Sequence, residues 1–153
     1  MTDDSARRVQ FYVLPDAGER RRLKFACTLT EQAYLAGKRV YVWLDDPGEL
    51  QQFDELLWTF ADRSFVPHER FVDMQQWQQT PVLLGCETQP MQPYDVLINL
   101  GSAVPAAATN ASQIAEIVDG DESGRQAGRA RFRHYRDQGL KPESQNIPAD
   151  WKP

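Results

Sequence analysis

Four arginines near the end of the chain, Arg125, Arg129, Arg133 and Arg136, recur at spacings of four, four and three. That spacing puts them on one face of a helix, with Phe132 beside the stripe. A guanidinium holds a carboxylate through two parallel hydrogen bonds, and an aromatic floor accepts an apolar residue. Together they suit an acidic peptide or a terminal carboxylate. A plain solvated cationic face carries the same pattern, and single-stranded nucleic acid would also be drawn to it. The chain has 17 Lys+Arg against 22 Asp+Glu, a formal net charge of -5. Nucleic-acid-binding domains are usually basic, so direct DNA binding is the weaker of the two ligand readings.

A second group is aromatic. Trp58 follows Leu57 and falls at the edge of the apolar stripe of its helix, and Phe65-Val66-Pro67-His68 comes soon after. Aromatic side chains at such edges either anchor a protein interface or close the core.

Catalytic patterns are thin. Asp45 and Asp46 end a strand, where α/β enzymes place carboxylates, but capping the helix at Pro47 is their plainer role. Ser64 and His68 are separated by an extended Phe-Val-Pro, and no serine sits between the glycines of a nucleophile elbow. Cys27 and Cys86 have no zinc-ligand spacing and read as small buried hydrophobes, so no metal is expected. The first strand-to-helix loop, Leu14-Pro15-Asp16-Ala17-Gly18-Glu19, has neither the Gly-x-Gly-x-x-Gly pattern nor a Walker lysine. No cofactor is expected either.

The elements that must carry these residues follow from the pattern. Val9–Leu14, Arg39–Leu44, Val82–Gly85, Tyr94–Gly101 and Ile114–Val118 read as strands. The near-continuous apolar run from Arg39 suits a strand covered on both faces. A helix follows the first strand and ends at Gly37. A second starts with Asp46 as N-cap and Pro47 as first residue, and runs to about Trp58. A third spans Glu122 to Gly139, capped by Asp121 or Ser123. Residues 73–80 show no clear period, and 105–112 are small and polar, as in a surface connection. The order predicts an α/β, Rossmann-like single domain over residues 1–153, with a mainly parallel sheet and no nucleotide-binding loop. Residues 140–153 read as an irregular C-terminal tail, with Trp151 as an anchor. The N-terminus has no apolar leader pattern, and no apolar run approaches the roughly 20 residues that cross a bilayer. A cytoplasmic protein away from the membrane is expected.

Several segments resemble the chi subunit of the bacterial DNA polymerase III holoenzyme, part of the clamp-loader assembly. They are Phe11-Tyr12-Val13-Leu14, Ala36-Gly37-Lys38-Arg39-Val40 and the Leu-x-x-x-Asp-Glu-x-Leu-Trp pattern from Leu50 to Trp58. Ser64-Phe65-Val66-Pro67-His68, Asp95 to Leu100 and Arg131-Phe132-Arg133-His134-Tyr135-Arg136 complete the set. The resemblance implies a non-catalytic adaptor in DNA replication that touches DNA only indirectly. It implies a psi-subunit partner on a surface mapping to Trp58 and Phe65, with Val66 and Pro67 beside them. A repair helicase would compete for that surface. It also implies binding of the acidic C-terminal tail of single-stranded DNA-binding protein, which ends in Pro-Phe. That site maps to Arg129, Phe132 and Arg133, within the stripe from Arg125 to Arg136. The family often has tyrosine where Phe132 stands. An apolar position before the helix is matched by polar Gly120-Asp121, so Asp121 is expected to repel the tail. Nothing carries over at residues 71–93. The competing readings are a small α/β enzyme with a carboxylate site at the strand ends, and a direct single-stranded DNA binder.

Overall fold

The structure is a computed structural model and describes residues 7–152. The reading of the N-terminus as leaderless falls on residues 1–6, outside the described residues. The strands are β1 (Arg8–Val13), β2 (Val40–Trp43), β3 (His68–Arg70), β4 (Val82–Gly85), β5 (Tyr94–Asn99), β6 (Ala111–Val118) and β7 (Glu143–Asn146). They form one sheet in the order β3-β4-β2-β5-β6-β1-β7, and every pairing is parallel. The fold is α/β, as the residue pattern predicts, with a sheet that is parallel throughout.

Helices α1 (Glu19–Leu35) and α2 (Pro47–Thr59) pack over one face, and α3 (Glu122–Asp137) over the other. Side chains alternate between the faces along each strand. In β2, Val40 and Val42 join the α1/α2 core while Tyr41 joins the α3 core. In β1, Val9 and Phe11 face α3, whereas Tyr12 packs on the α1 side. Both faces are covered, which is why the strands read as continuous apolar runs.

Local signals set the helix ends. Asp46 accepts the Glu49 backbone N–H at 2.8 Å and Pro47 opens α2. Beyond α1, Gly37 takes φ +77, and the backbone N–H groups of Gly37 and Lys38 donate to Tyr34 and Ala33. This left-handed residue closes the helix with paired carbonyls, as glycine does most readily.

Two expectations are corrected, and one segment without a clear period gains a structure. Residues 105–112 are not a surface connection: Ala107, Ala108 and Ala111 are buried, and the segment is a 3-10 turn leading into β6. Small side chains are there because the chain passes close beneath Tyr94, whose hydroxyl donates to the Ala107 carbonyl at 3.0 Å. Residues 73–80 hold a 3-10 turn, Met74–Gln78, closed by a reciprocal Asp73–Gln76 capping box. The tail from residue 140 is not irregular throughout. β7 completes the sheet because the outer edge of β1 needs hydrogen-bond partners, and Glu143–Asn146 lie in register with Gln10–Val13. All four β7 residues are exposed and polar, so they show no alternation. Ile147 is buried just after, and Trp151 packs on Phe25 with ring centroids 5.0 Å apart, in its expected anchoring role.

Candidate functional site

The arginine stripe is placed by what lies beneath α3. Asp121 caps the helix, its carboxylate accepting the Gly124 N–H at 2.7 Å. At Gly128 a Cβ would stand 2.8 Å from Val118 Cγ1, so the missing side chain lets α3 come down onto β6. Phe132 and Tyr135 then rest on Phe11, with ring centroids 5.2 and 5.9 Å away.

A buried polar cluster sits under the same helix. Arg131 Nε donates to Glu116 Oε1 at 2.7 Å, and the Tyr135 hydroxyl donates to Glu116 Oε2 at 2.6 Å. Asn99 Nδ2 reaches both carboxylate oxygens, at 3.1 and 3.0 Å. Arg131 also donates to the Ser102 and Ile117 carbonyls. Glu116 is fully buried and Arg131 nearly so. Burial pushes the Glu116 carboxyl up from its ordinary range, against the pull of the Arg131 guanidinium and the donated hydrogen bonds. Burial, with Glu116 beside it, pushes the Tyr135 phenol up as well. The Arg131 guanidinium is therefore withdrawn from solvent and from the exposed stripe.

Between α3 and the β1/β7 edge runs a groove of about 420 Å³. Phe11, Val13, Val118 and Phe132 give it an apolar floor. Arg125, Arg129, Arg133 and Arg136 line it along the helix, and Ser144 of β7 faces them. The five residues expected from the sequence are thus brought together. Arg125 Nε donates to the Gly120 carbonyl at 3.1 Å, and Arg129 Nη2 pairs with Glu122 at 3.3 Å on the exposed surface. The side chains of Arg133 and Arg136 make no hydrogen bond or ion pair among the described residues. Such a groove can hold an apolar side chain next to a carboxylate. The floor residues of β1 and β6 were missed, since apolar strand residues look alike in sequence. Gly128 left a signal, a glycine inside a helical pattern. Asp121, expected to repel the tail, does not line this groove. Its carboxylate caps the helix and lines a different hollow, while Val118 supplies the apolar wall.

The aromatic group is split by the structure. Trp58 is 45% exposed and Phe65 is 65% exposed, with ring centroids 5.6 Å apart. Pro67 is half-buried beside them. Val66 is fully buried, so its side chain belongs to the core and not to this surface. Extended backbone turns alternate side chains to opposite sides, which sends Val66 inward and Phe65 outward. His68 lies under Trp58, ring centroids 4.1 Å apart, with Nε2 at 2.7 Å from Asp54 Oδ1 and Nδ1 at 2.7 Å from the Val66 carbonyl. It props the tryptophan.

The strand ends hold the carboxylates of the enzyme reading. Asp45 accepts the Ser102 N–H with both oxygens at 3.1 Å, and Asp46 caps α2. Ser64 donates to Glu31 and His68 is held by Asp54, so the two do not meet. Cys27 is buried, and burial pushes its thiol up. Among the described residues no group of three His, Cys, Asp or Glu could hold a metal ion.

The fold is shared with the C-terminal domain of the DEAD-box protein Dbp5, at a TM-score of 0.58, 9% identity and coverage of 94% of this chain and 92% of that one. The family model described as DNA polymerase III chi subunit, HolC, matches residues 7–143. The DNA polymerase III subunit chi of Pseudomonas aeruginosa is 37% identical over 141 residues, 92% of this chain and 97% of that protein. Those of Haemophilus influenzae and Escherichia coli are 26% and 25% identical, covering 93% and 84% of this chain and 99% and 85% of their own lengths. The chain is a member of an accessory, non-catalytic class of polymerase subunit. It belongs to the DNA polymerase III chi subunit family. Among the described residues no helix is long and apolar enough to cross a membrane.

Proposed function

We propose that this protein is an adaptor of the DNA polymerase III clamp-loader complex with two protein-binding surfaces. The α3 groove takes the acidic C-terminal tail of single-stranded DNA-binding protein, and the Trp58–Phe65 surface takes the psi subunit. The carrying observation is the groove, where an apolar floor lies against a row of arginines in an otherwise acidic chain. The floor suits the terminal phenylalanine of the tail, and Arg129 and Arg133 suit its carboxylate and aspartates. The site is open, so binding is micromolar, about 8 kcal/mol. The missing hydroxyl at Phe132 leaves ring packing on Phe11 in place.

A peptide ending in Pro-Phe, preceded by aspartates and with a free terminal carboxylate, is titrated by calorimetry or fluorescence anisotropy. Wild type binds in the micromolar range and more weakly as salt rises, because exposed charges are screened. Arg129→Glu loses most of the affinity while remaining folded. Equal binding by the two proteins contradicts the assignment. Binding to a naked oligonucleotide tighter than to the peptide favours the nucleic-acid reading instead.

A further inference from the structure

The groove is unequal along its length, and that inequality carries direction. At its α3 N-terminal end both arginines are engaged, Arg125 by a backbone carbonyl and Arg129 by the Glu122 carboxylate. At the other end the guanidinium groups of Arg133 and Arg136 have no partner among the described residues. From Arg125 to Arg136 the helix covers roughly 16 Å, the reach of about five extended residues.

The track does not stop at Arg136. A second hollow of about 460 Å³ opens at the end of α3, bounded by Arg8, Val9, Gly139 and Lys141. It continues the first along β1, where Phe11 lines the groove and Val9, two residues away on the same face, lines the hollow; Glu143 of β7 borders it too. Arg7 also borders it but is tied to the Ala108 carbonyl at 2.7 Å. Arg8 and Lys141 are exposed and carry no ion pair among the described residues; Arg8, the first residue of β1, borders both this hollow and one on the α1 side. The nearby carboxylates are Glu143, in its lining, and Asp137, the last residue of α3. They are outnumbered by Arg133, Arg136, Arg8 and Lys141, whereas at the other end Arg129 is already paired with Glu122.

We infer that an acidic peptide lies in this groove with one polarity, and that Arg8 and Lys141 are further contacts for it. Its apolar carboxy-terminal residue sits on Phe132 and Phe11 beside Arg129. Its upstream carboxylates run past Arg133 and Arg136 to Arg8 and Lys141. The reverse direction would bring the acidic stretch to the Glu122 carboxylate, which already pairs with Arg129, and away from the unpaired cations. This inference rests on the tail-binding reading and adds the path and the far contacts. A longer acidic run then gains affinity that a short apolar end lacks.

The test compares two peptides with the same Pro-Phe carboxy terminus, a short one and one extended upstream by aspartates. Wild type is set against Arg8→Glu with Lys141→Glu, and against Arg20→Glu with Arg63→Glu, the same charge change on the α1/α2 side. All four positions are exposed, so the variants fold, as circular dichroism checks. The Arg8/Lys141 variant weakens the longer peptide by about tenfold at low salt and leaves the short one unchanged. The α1/α2-side variant changes neither. Equal loss for both peptides, or loss no greater than in the α1/α2-side variant, overturns the inference while the tail reading stands. Failure of wild type to bind either peptide overturns both.

Discussion

Arg129, Arg131 and Arg133 follow one another within five residues, yet they do different work. Arg129 and Arg133 line the groove, whereas Arg131 points inward and holds Glu116. Nothing in the residue type separates them; the separation comes from helical phase. Arg131 shares its side of α3 with Gly128 and Tyr135, the buried side. A sequence signal for its partner did exist. Glu116 falls on the strand face of Ile114 and Val118, and a carboxylate among apolar neighbours needs a buried donor. Arg131→Leu leaves that carboxylate buried without its cation. We expect a loss of about 3–5 kcal/mol in urea denaturation. A loss below about 1 kcal/mol would mean that the cluster does not hold α3 in place. Arg133→Leu, by contrast, removes an exposed cation and changes stability by less than about 0.5 kcal/mol.

At the scale of elements, the groove exists because α3 lies close on β6 but leaves the β1/β7 edge open. Gly128 allows the close approach. In an exposed helix Gly→Ala stabilises by about 1 kcal/mol. Here the added methyl group meets Val118, and the expected sign is opposite. Gly128→Ala destabilises by about 1–3 kcal/mol in thermal or urea unfolding and weakens peptide binding, because the floor and the arginines move apart. A stabilised variant with unchanged binding would contradict this account of the groove. The elements themselves were largely legible. The strands from β1 to β6 other than β3, and all three helices, follow from apolar runs, caps and glycine stops. β7 was not legible, since its residues gain order from the open edge of β1 and from no property of their own. The 3-10 turn at Met74–Gln78 was hidden likewise. Its organising contact is Trp77 stacked on Tyr94, at 5.2 Å, across a gap in sequence that local pattern does not cross.

Taken as a whole molecule, the protein separates its two candidate surfaces. The Trp58–Phe65 pair lies on the α1/α2 side, where the chain leaves α2 for edge strand β3. The groove lies on the α3 side beside β7, the opposite edge. Six strand spacings separate those edges, roughly 29 Å. The placement was only partly legible. The arginine stripe and Phe132 were readable because helical spacing is local. The Phe65–Val66–Pro67 segment was read as one surface, although strand-like alternation sends Val66 into the core. Which residues faced the stripe from β1, β6 and β7 depended on strand order, which local pattern does not carry.

The central claim is that one small fold holds two independent protein contacts. The most direct measurement is a cross-comparison of wild type, Trp58→Ala and Arg129→Glu, each titrated with the psi subunit and, separately, with the acidic Pro-Phe peptide. Both substituted positions are exposed, so each variant retains the fold. The account predicts that Trp58→Ala loses psi binding and keeps peptide affinity within about twofold, and that Arg129→Glu does the reverse. A folded variant that loses both ligands together would contradict it.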